Sequence, residues 1–163
     1  MSWIEPMPAA SAFEAVLAHR PALLDRYRAF QATLRDAERV PPRIRELCRL
    51  RVAAVHGCAA EFVLREPGVL LQDHELAALH RGDTGPFEVH ERAALALADA
   101  MPFRHHHVED EDVARVRALF GDAGTVALLT AIAFFDVTCR LKLVLGVQPI
   151  AGDAEALHAD VLA

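Results

Sequence analysis

Residues 122–145, DAGTVALLTAIAFFDVTCRLKLVL, form the most apolar stretch of the chain and are long enough to cross a bilayer as a helix. Asp136, Arg140 and Lys142 fall in its second half, and three ionisable groups inside hydrocarbon argue against a membrane span. Apolar residues occupy most of the helical circumference. That pattern predicts a central helix buried on several sides, in part by another subunit. Asp136 and Arg140 lie four apart and can pair on one face. Such a helix needs other helical faces to cover it, so the rest of the sequence must supply them.

The composition agrees. Hydrophobic residues make up 53% of the chain while Phe, Trp and Tyr are only 6%, so the apolar mass is Ala, Leu and Val, which favours helix. No stretch reads as a strand. The 163 residues suit one domain with its own core, and the predicted class is an all-α bundle of seven to nine helices, with 122–145 the longest. Residues 1–10 hold two prolines and read as a loose arm. Helices are expected over 12–19, capped by Ser11, and over 21–38, where Leu23, Leu24, Tyr27, Phe30 and Leu34 trace a stripe. A further helix is expected from Pro41 or Pro42, bent or broken after Gly57 and ended near Pro67 and Gly68, and others over 72–80 with Asp73 near its start, over 88–101 before Pro102, over 109–120 with Gly121 as cap, and over 154–162. RGDTGP at 81–86 is a connector.

Charge narrows the function. There are 17 basic and 23 acidic residues, net −6, with no basic block among aromatics, so no nucleic-acid footprint is present and an acidic membrane surface would repel the chain. Three cysteines, at 48, 58 and 139, do not suggest a disulfide framework. With no charged start and long apolar core in 1–10, a cytoplasmic location is expected. Helices apolar on two sides predict a homo-oligomer.

The chemistry concentrates in 41–67, PPRIRELCRLRVAAVHGCAAEFVLREP. Ile44, Leu47, Cys48, Val52 and Val55 mark one apolar face, and Glu46 follows Leu50, Ala53 and Gly57 on a neighbouring one. A carboxylate among small apolar residues is a candidate acid or base, unless Arg49 or Arg43 pairs with it. Beyond Gly57, Cys58, Glu61 and Arg65 fall at steps of three and four and should share a face. Cys58 is a candidate nucleophile or a small buried hydrophobe. Glu61 and Arg65 are either a surface ion pair or an acid beside a carboxylate-binding cation. His56 is a candidate proton carrier or substrate contact. The run His105, His106, His107 does not converge on one ion, so no metal is expected.

Arg45-Glu46-Leu47 followed by Gly57-Cys58 resembles the carboxymuconolactone decarboxylase and alkylhydroperoxidase D (AhpD-like) superfamily. Its signature continues as Cys-x-x-Cys-x-x-x-His, and here Glu61 replaces the second cysteine and Arg65 the histidine. Glu61-Phe62 is closer to the Glu-Trp of a branch without the dithiol. The resemblance implies an AhpD-like helical bundle, self-association, a small-molecule substrate and no cofactor. Three functions are open from it and from the residues. The first is proton-transfer or decarboxylation chemistry on a small carboxylate, with Glu46 and Glu61 as acids or bases and Arg65 holding the substrate. The second is an alkylhydroperoxidase using Cys58 alone, and the third a non-catalytic oligomeric binding protein. Nearby carboxylates should raise the Cys58 thiol, which favours the first. On that reading Glu46→Gln abolishes activity with little loss of stability, and Cys58→Ser leaves it intact.

Overall fold

The computed structural model describes residues 3–35 and 39–148, which form one all-helical domain without strands among those residues. The expected helix over 154–162 lies outside them, as do residues 36–38. The helices are α1 (Ala12–Leu17), α2 (Pro21–Leu34), α3 (Pro42–His56), α4 (Ala59–Phe62), α5 (Asp73–Arg81), α6 (Val89–Arg104) and α7 (Asp110–Val144). Helix α7 is interrupted at Gly121, whose φ of 69° and ψ of 178° break the helical path. The capping glycine expected between 109–120 and 122–145 is therefore where the two rods join.

Helices α3, α6 and α7 pack on one another and hold the core, with α5 and α4 against α3, and α2 against α7. The most central is α3. Ile44, Leu47, Cys48, Leu50, Val52 and Ala53 are almost fully buried, and so are Arg45, Glu46 and Arg49. Each buried Leu, Ile or Val contributes roughly 1.5–3 kcal/mol, enough to carry several buried charges in the same helix. The second rod of α7 is only one-sided by comparison. Leu128, Ala131, Ile132, Cys139 and Lys142 face inward, while Val126, Val137, Leu141 and Val144 remain exposed. This departs from a helix buried all round: within one subunit α3 takes the central place and leaves the outer face of α7 bare.

Several local expectations hold and others shift. The hydroxyl of Ser11 accepts the Glu14 N–H at 3.3 Å, capping α1. In α2 only Leu24 of the stripe is buried, and Leu23 and Phe30 face solvent. Helix α5 is opened by Gln72, whose N–H donates to Glu75 at 2.7 Å in a capping box, rather than by Asp73. Pro102 does not end α6, which continues through it to Arg104, and the Pro102 carbonyl accepts a hydrogen bond from Arg140 at 2.7 Å. The chain before α1 is non-helical but tied, the Trp3 N–H to the Leu145 carbonyl and the Met7 N–H to that of Ala15.

Gly57 sets the path of the chain after α3. Its φ of 63° is left-handed, and with this turn the Cys58 N–H reaches back 2.8 Å to the Ala53 carbonyl. Cys58 then stands at the head of α4, over the end of α3 and beside α7.

Candidate functional site

Glu46 and Arg49 are one turn apart on α3, and the guanidinium meets the carboxylate in a fork: Nε to Oε2 and Nη2 to Oε1, both 2.8 Å. Arg49 Nη1 also donates to Glu61 Oε1 and to the Glu61 carbonyl, each at 2.7 Å, and Nη2 to the Leu64 carbonyl at 2.6 Å. From α7, Lys142 donates to Glu61 Oε2. The Glu66 N–H completes the set at 3.2 Å from Glu46 Oε1. Two acids and two bases thus form one buried chain, Glu46, Arg49, Glu61, Lys142, in which the charges cancel and the hydrogen-bonding groups are filled. Such a chain is tolerated in a core only because it is complete; removal of one member would strand the others.

The electrostatics arise from that pairing. Burial by itself would raise the Glu61 carboxyl, but the charges and hydrogen bonds of Arg49 and Lys142 outweigh it and hold Glu61 below the usual carboxylate range. Burial works against the Arg49 charge as well, yet Glu46 and Glu61 keep that guanidinium protonated. Glu61 is consequently a fixed anion at neutral pH. For Glu61 the expected carboxyl poised near neutrality does not arise, because α3 brings Arg49 and α7 brings Lys142 to it.

The expected alignment of Cys58, Glu61 and Arg65 fails for a structural reason. Helix α4 ends at Phe62, so Glu61 and Arg65 share no helical face. Arg65 donates instead to the carbonyls of Phe62 and Leu64 and lies over the Phe62 ring, 5.8 Å from its centroid. His56, the last residue of α3, places Nε2 2.6 Å from Asp136 Oδ1 and its ring 4.7 Å from that of Phe103. Asp136 also accepts Arg140 Nε at 3.0 Å, so the expected pair on α7 forms and gains His56 as a third member.

Cys58 meets a partner that spacing along the chain does not reveal. The thiol of Cys139, on α7, is the largest influence on Cys58 and draws it below the ordinary thiol value. Burial opposes the shift; the Glu61 N–H and the Lys142 charge reinforce it, and the Glu61 carboxylate again opposes it. Cys139 moves the other way, pushed up by Cys58 and by burial. Glu61 does push the Cys58 thiol up, as a neighbouring carboxylate should, but Cys139, the Glu61 N–H and Lys142 outweigh it. Cys48 lies fully buried in the hydrophobic core, and burial pushes its thiol up.

Cys58 lines an open pocket together with Ala53, Ala54, Gly57, Ala59, Phe62 and His80. Glu46 lines a different pocket, with Arg45, Arg49, Glu66, Phe134 and Phe135. Glu46 and Cys58 are thus linked through the ion chain but open onto separate surfaces. The three histidines 105–107 form an exposed turn of 3-10 helix after α6. Among the described residues no three His, Cys, Asp or Glu side chains cluster as a metal site would.

Sequence reasoning passed over Cys139 and Lys142 as members of the site, and it read Arg49 only as a partner for Glu46. The signal present in the chain was Asp136, Cys139 and Lys142 at steps of three in an otherwise apolar helix, a polar seam on the inner face of α7.

This architecture defines the class: the chain has an all-helical AhpD-like fold. No protein-family model matches the sequence, and no curated protein matches it. Among solved structures it is similar to the debrominase Bmp8 in its apo form, with a TM-score of 0.76 and 17% identity over 90% of this chain and 81% of that one. It is similar also to a cysteine-to-alanine variant of Bmp8 in complex with 2,3,4-tribromopyrrole, with a TM-score of 0.76 and 15% identity over 90% of this chain and 80% of that one.

Proposed function

We propose that the protein is a thiol-dependent enzyme that acts on a small electrophilic molecule, a hydroperoxide being the simplest, with Cys58 as nucleophile. The carrying observation is the placement of Cys58, which lines an open pocket with Ala53, Ala54, Gly57, Ala59, Phe62 and His80; its thiol is also drawn below the ordinary value. A thiolate is the reactive form, and no cofactor is needed to generate it there. The Ala and Gly residues of that lining suit a small substrate. The similar Bmp8 variant, crystallised with a small halogenated pyrrole, supports the same scale of substrate.

Proton-transfer or decarboxylation chemistry through Glu46 and Glu61 ranks second. Each of those carboxylates is already engaged by Arg49, and Glu61 by Lys142 too, which leaves neither free to exchange a proton with a substrate. Arg65, expected to hold a substrate carboxylate, is spent on backbone carbonyls.

Turnover of tert-butyl hydroperoxide with dithiothreitol tests the reading. The wild type should consume the peroxide with saturation, and Cys58→Ser should lose at least 100-fold of that rate. Full turnover in Cys58→Ser would refute it.

A further inference from the structure

The pocket that Glu46 lines has three guanidinium groups on its wall, and they are bound very unevenly. Arg49 has all five N–H groups in use, on Glu46, Glu61 and two backbone carbonyls, at 2.6 to 2.8 Å. Arg45 is held more loosely. Its Nη2 donates to Glu66 Oε1 at 3.1 Å and its Nη1 to the Leu34 carbonyl at 3.4 Å. Arg35, at the C-terminal end of α2, approaches the same Glu66 oxygen at 3.6 Å, outside hydrogen-bond range. One carboxylate oxygen thus serves two guanidinium groups, while both oxygens of Glu46 belong to Arg49. Among the described residues that line the pocket, three arginines stand against two glutamates, which leaves one positive charge uncompensated.

We propose that this pocket, between the end of α2, α3 and the middle of α7, binds a small planar monoanion of the carboxylate or bicarbonate class. One oxygen of the anion accepts from Arg45 and another from Arg35.

Charge, shape and size each select that ligand. A single negative charge balances the lining, whereas a dianion overshoots it. A planar O–C–O group matches the flat fork of guanidinium donors, as a tetrahedral anion does not. The cavity, about 30 Å3, has room for roughly two water molecules, the scale of formate or bicarbonate. Phe134 and Phe135 form the apolar side of the lining, and the Phe134 ring is fixed by Tyr27 and Phe30, with centroids 5.4 and 5.2 Å away. Such a wall keeps the local dielectric low and strengthens the attraction between the anion and the arginines. The lining shares no described residue with the pocket at Cys58, so this anion is a different molecule from the electrophile that Cys58 attacks. The site therefore stands whether or not Cys58 is a nucleophile.

The test uses formate as the probe. The relaxation rate of the formate proton is followed with the full chain present as formate is raised, total salt being held constant with sodium chloride. Wild type should bind formate saturably, and Cys58→Ser should bind it equally well. Arg35→Gln alters a half-exposed side chain, so it should melt as wild type does and lose 10-fold or more of the affinity. Gln31→Glu puts a carboxylate on the pocket's own wall and should lose as much. Bicarbonate should displace bound formate and sulfate should not. Relaxation that never saturates, or an affinity unchanged in Arg35→Gln, would overturn the site. Loss of binding in Cys58→Ser would move the ligand to the other pocket and overturn it equally, and displacement by sulfate as readily as by bicarbonate would overturn the choice of a planar monoanion.

Discussion

Replacing Glu46 by Gln is nearly isosteric, yet the structure predicts a large loss of stability. Two 2.8 Å bonds from Arg49 end on its two carboxylate oxygens, and the Glu66 N–H also points at it. A glutamine amide accepts through its oxygen only, so its NH2 group must face an Arg49 N–H with donor against donor. Breaking a buried ion pair from one side costs roughly 3–5 kcal/mol. Arg49 keeps Glu61, which places the expected loss near the lower end, about 3 kcal/mol. For a chain of this size that lowers Tm by roughly 6–12 °C, and with a urea m-value of about 2 kcal/mol/M it moves the midpoint by about 1.5 M. Urea titration followed by circular dichroism measures it. The double variant Glu46→Leu with Arg49→Met should recover part of the loss if Glu61 keeps Lys142. A Glu46→Gln midpoint within about 0.25 M of wild type would refute the reasoning, because it would mean that the carboxylate is not holding the ion chain together.

Acid stability should track Glu61. Its carboxyl is held below the usual range in the fold, so its contribution is present above the unfolded value of about 4.3 and lost as pH falls through the folded one; Glu61→Gln should flatten the stability profile below about pH 4.3. Gly57→Ala should cost about 1–2 kcal/mol in thermal denaturation, since an added Cβ meets nothing within 4 Å and the penalty is the left-handed φ of 63° alone. The exposed apolar face of Val126, Val137, Leu141 and Val144 is proposed as the seat of self-association; sedimentation at micromolar concentration should show an oligomer that Val137→Glu with Leu141→Glu converts to monomer.

The helices were legible because period, proline and glycine act locally. Ser11 begins α1 through its own hydroxyl, and Gly57 and Gly121 end or interrupt helices through their left-handed φ. Pro102 misled because α6 runs two residues past it, and its carbonyl is taken by Arg140 from α7, a contact no local rule reveals. The site was harder. The Glu46–Arg49 pairing was visible as a three-residue step, but its two further partners come from beyond the Gly57 turn and from α7, and no local spacing encodes that approach. Lys142 reaches Glu61 from α7, and on the Cys58 thiol Cys139 and Lys142 outweigh the upward push of Glu61 that was expected from the sequence.

The reactivity of Cys58 across pH tests whether it is the working nucleophile. Reduced protein is pulsed with iodoacetamide between pH 5 and 10, and alkylation is quantified separately for the peptides holding Cys48, Cys58 and Cys139. Cys58 should react first, with a midpoint below the ordinary thiol value of about 8.5, and Lys142→Met should move that midpoint up. A Cys58 that stays as inert as Cys48 over the whole range, or titrates above 8.5, would contradict the account.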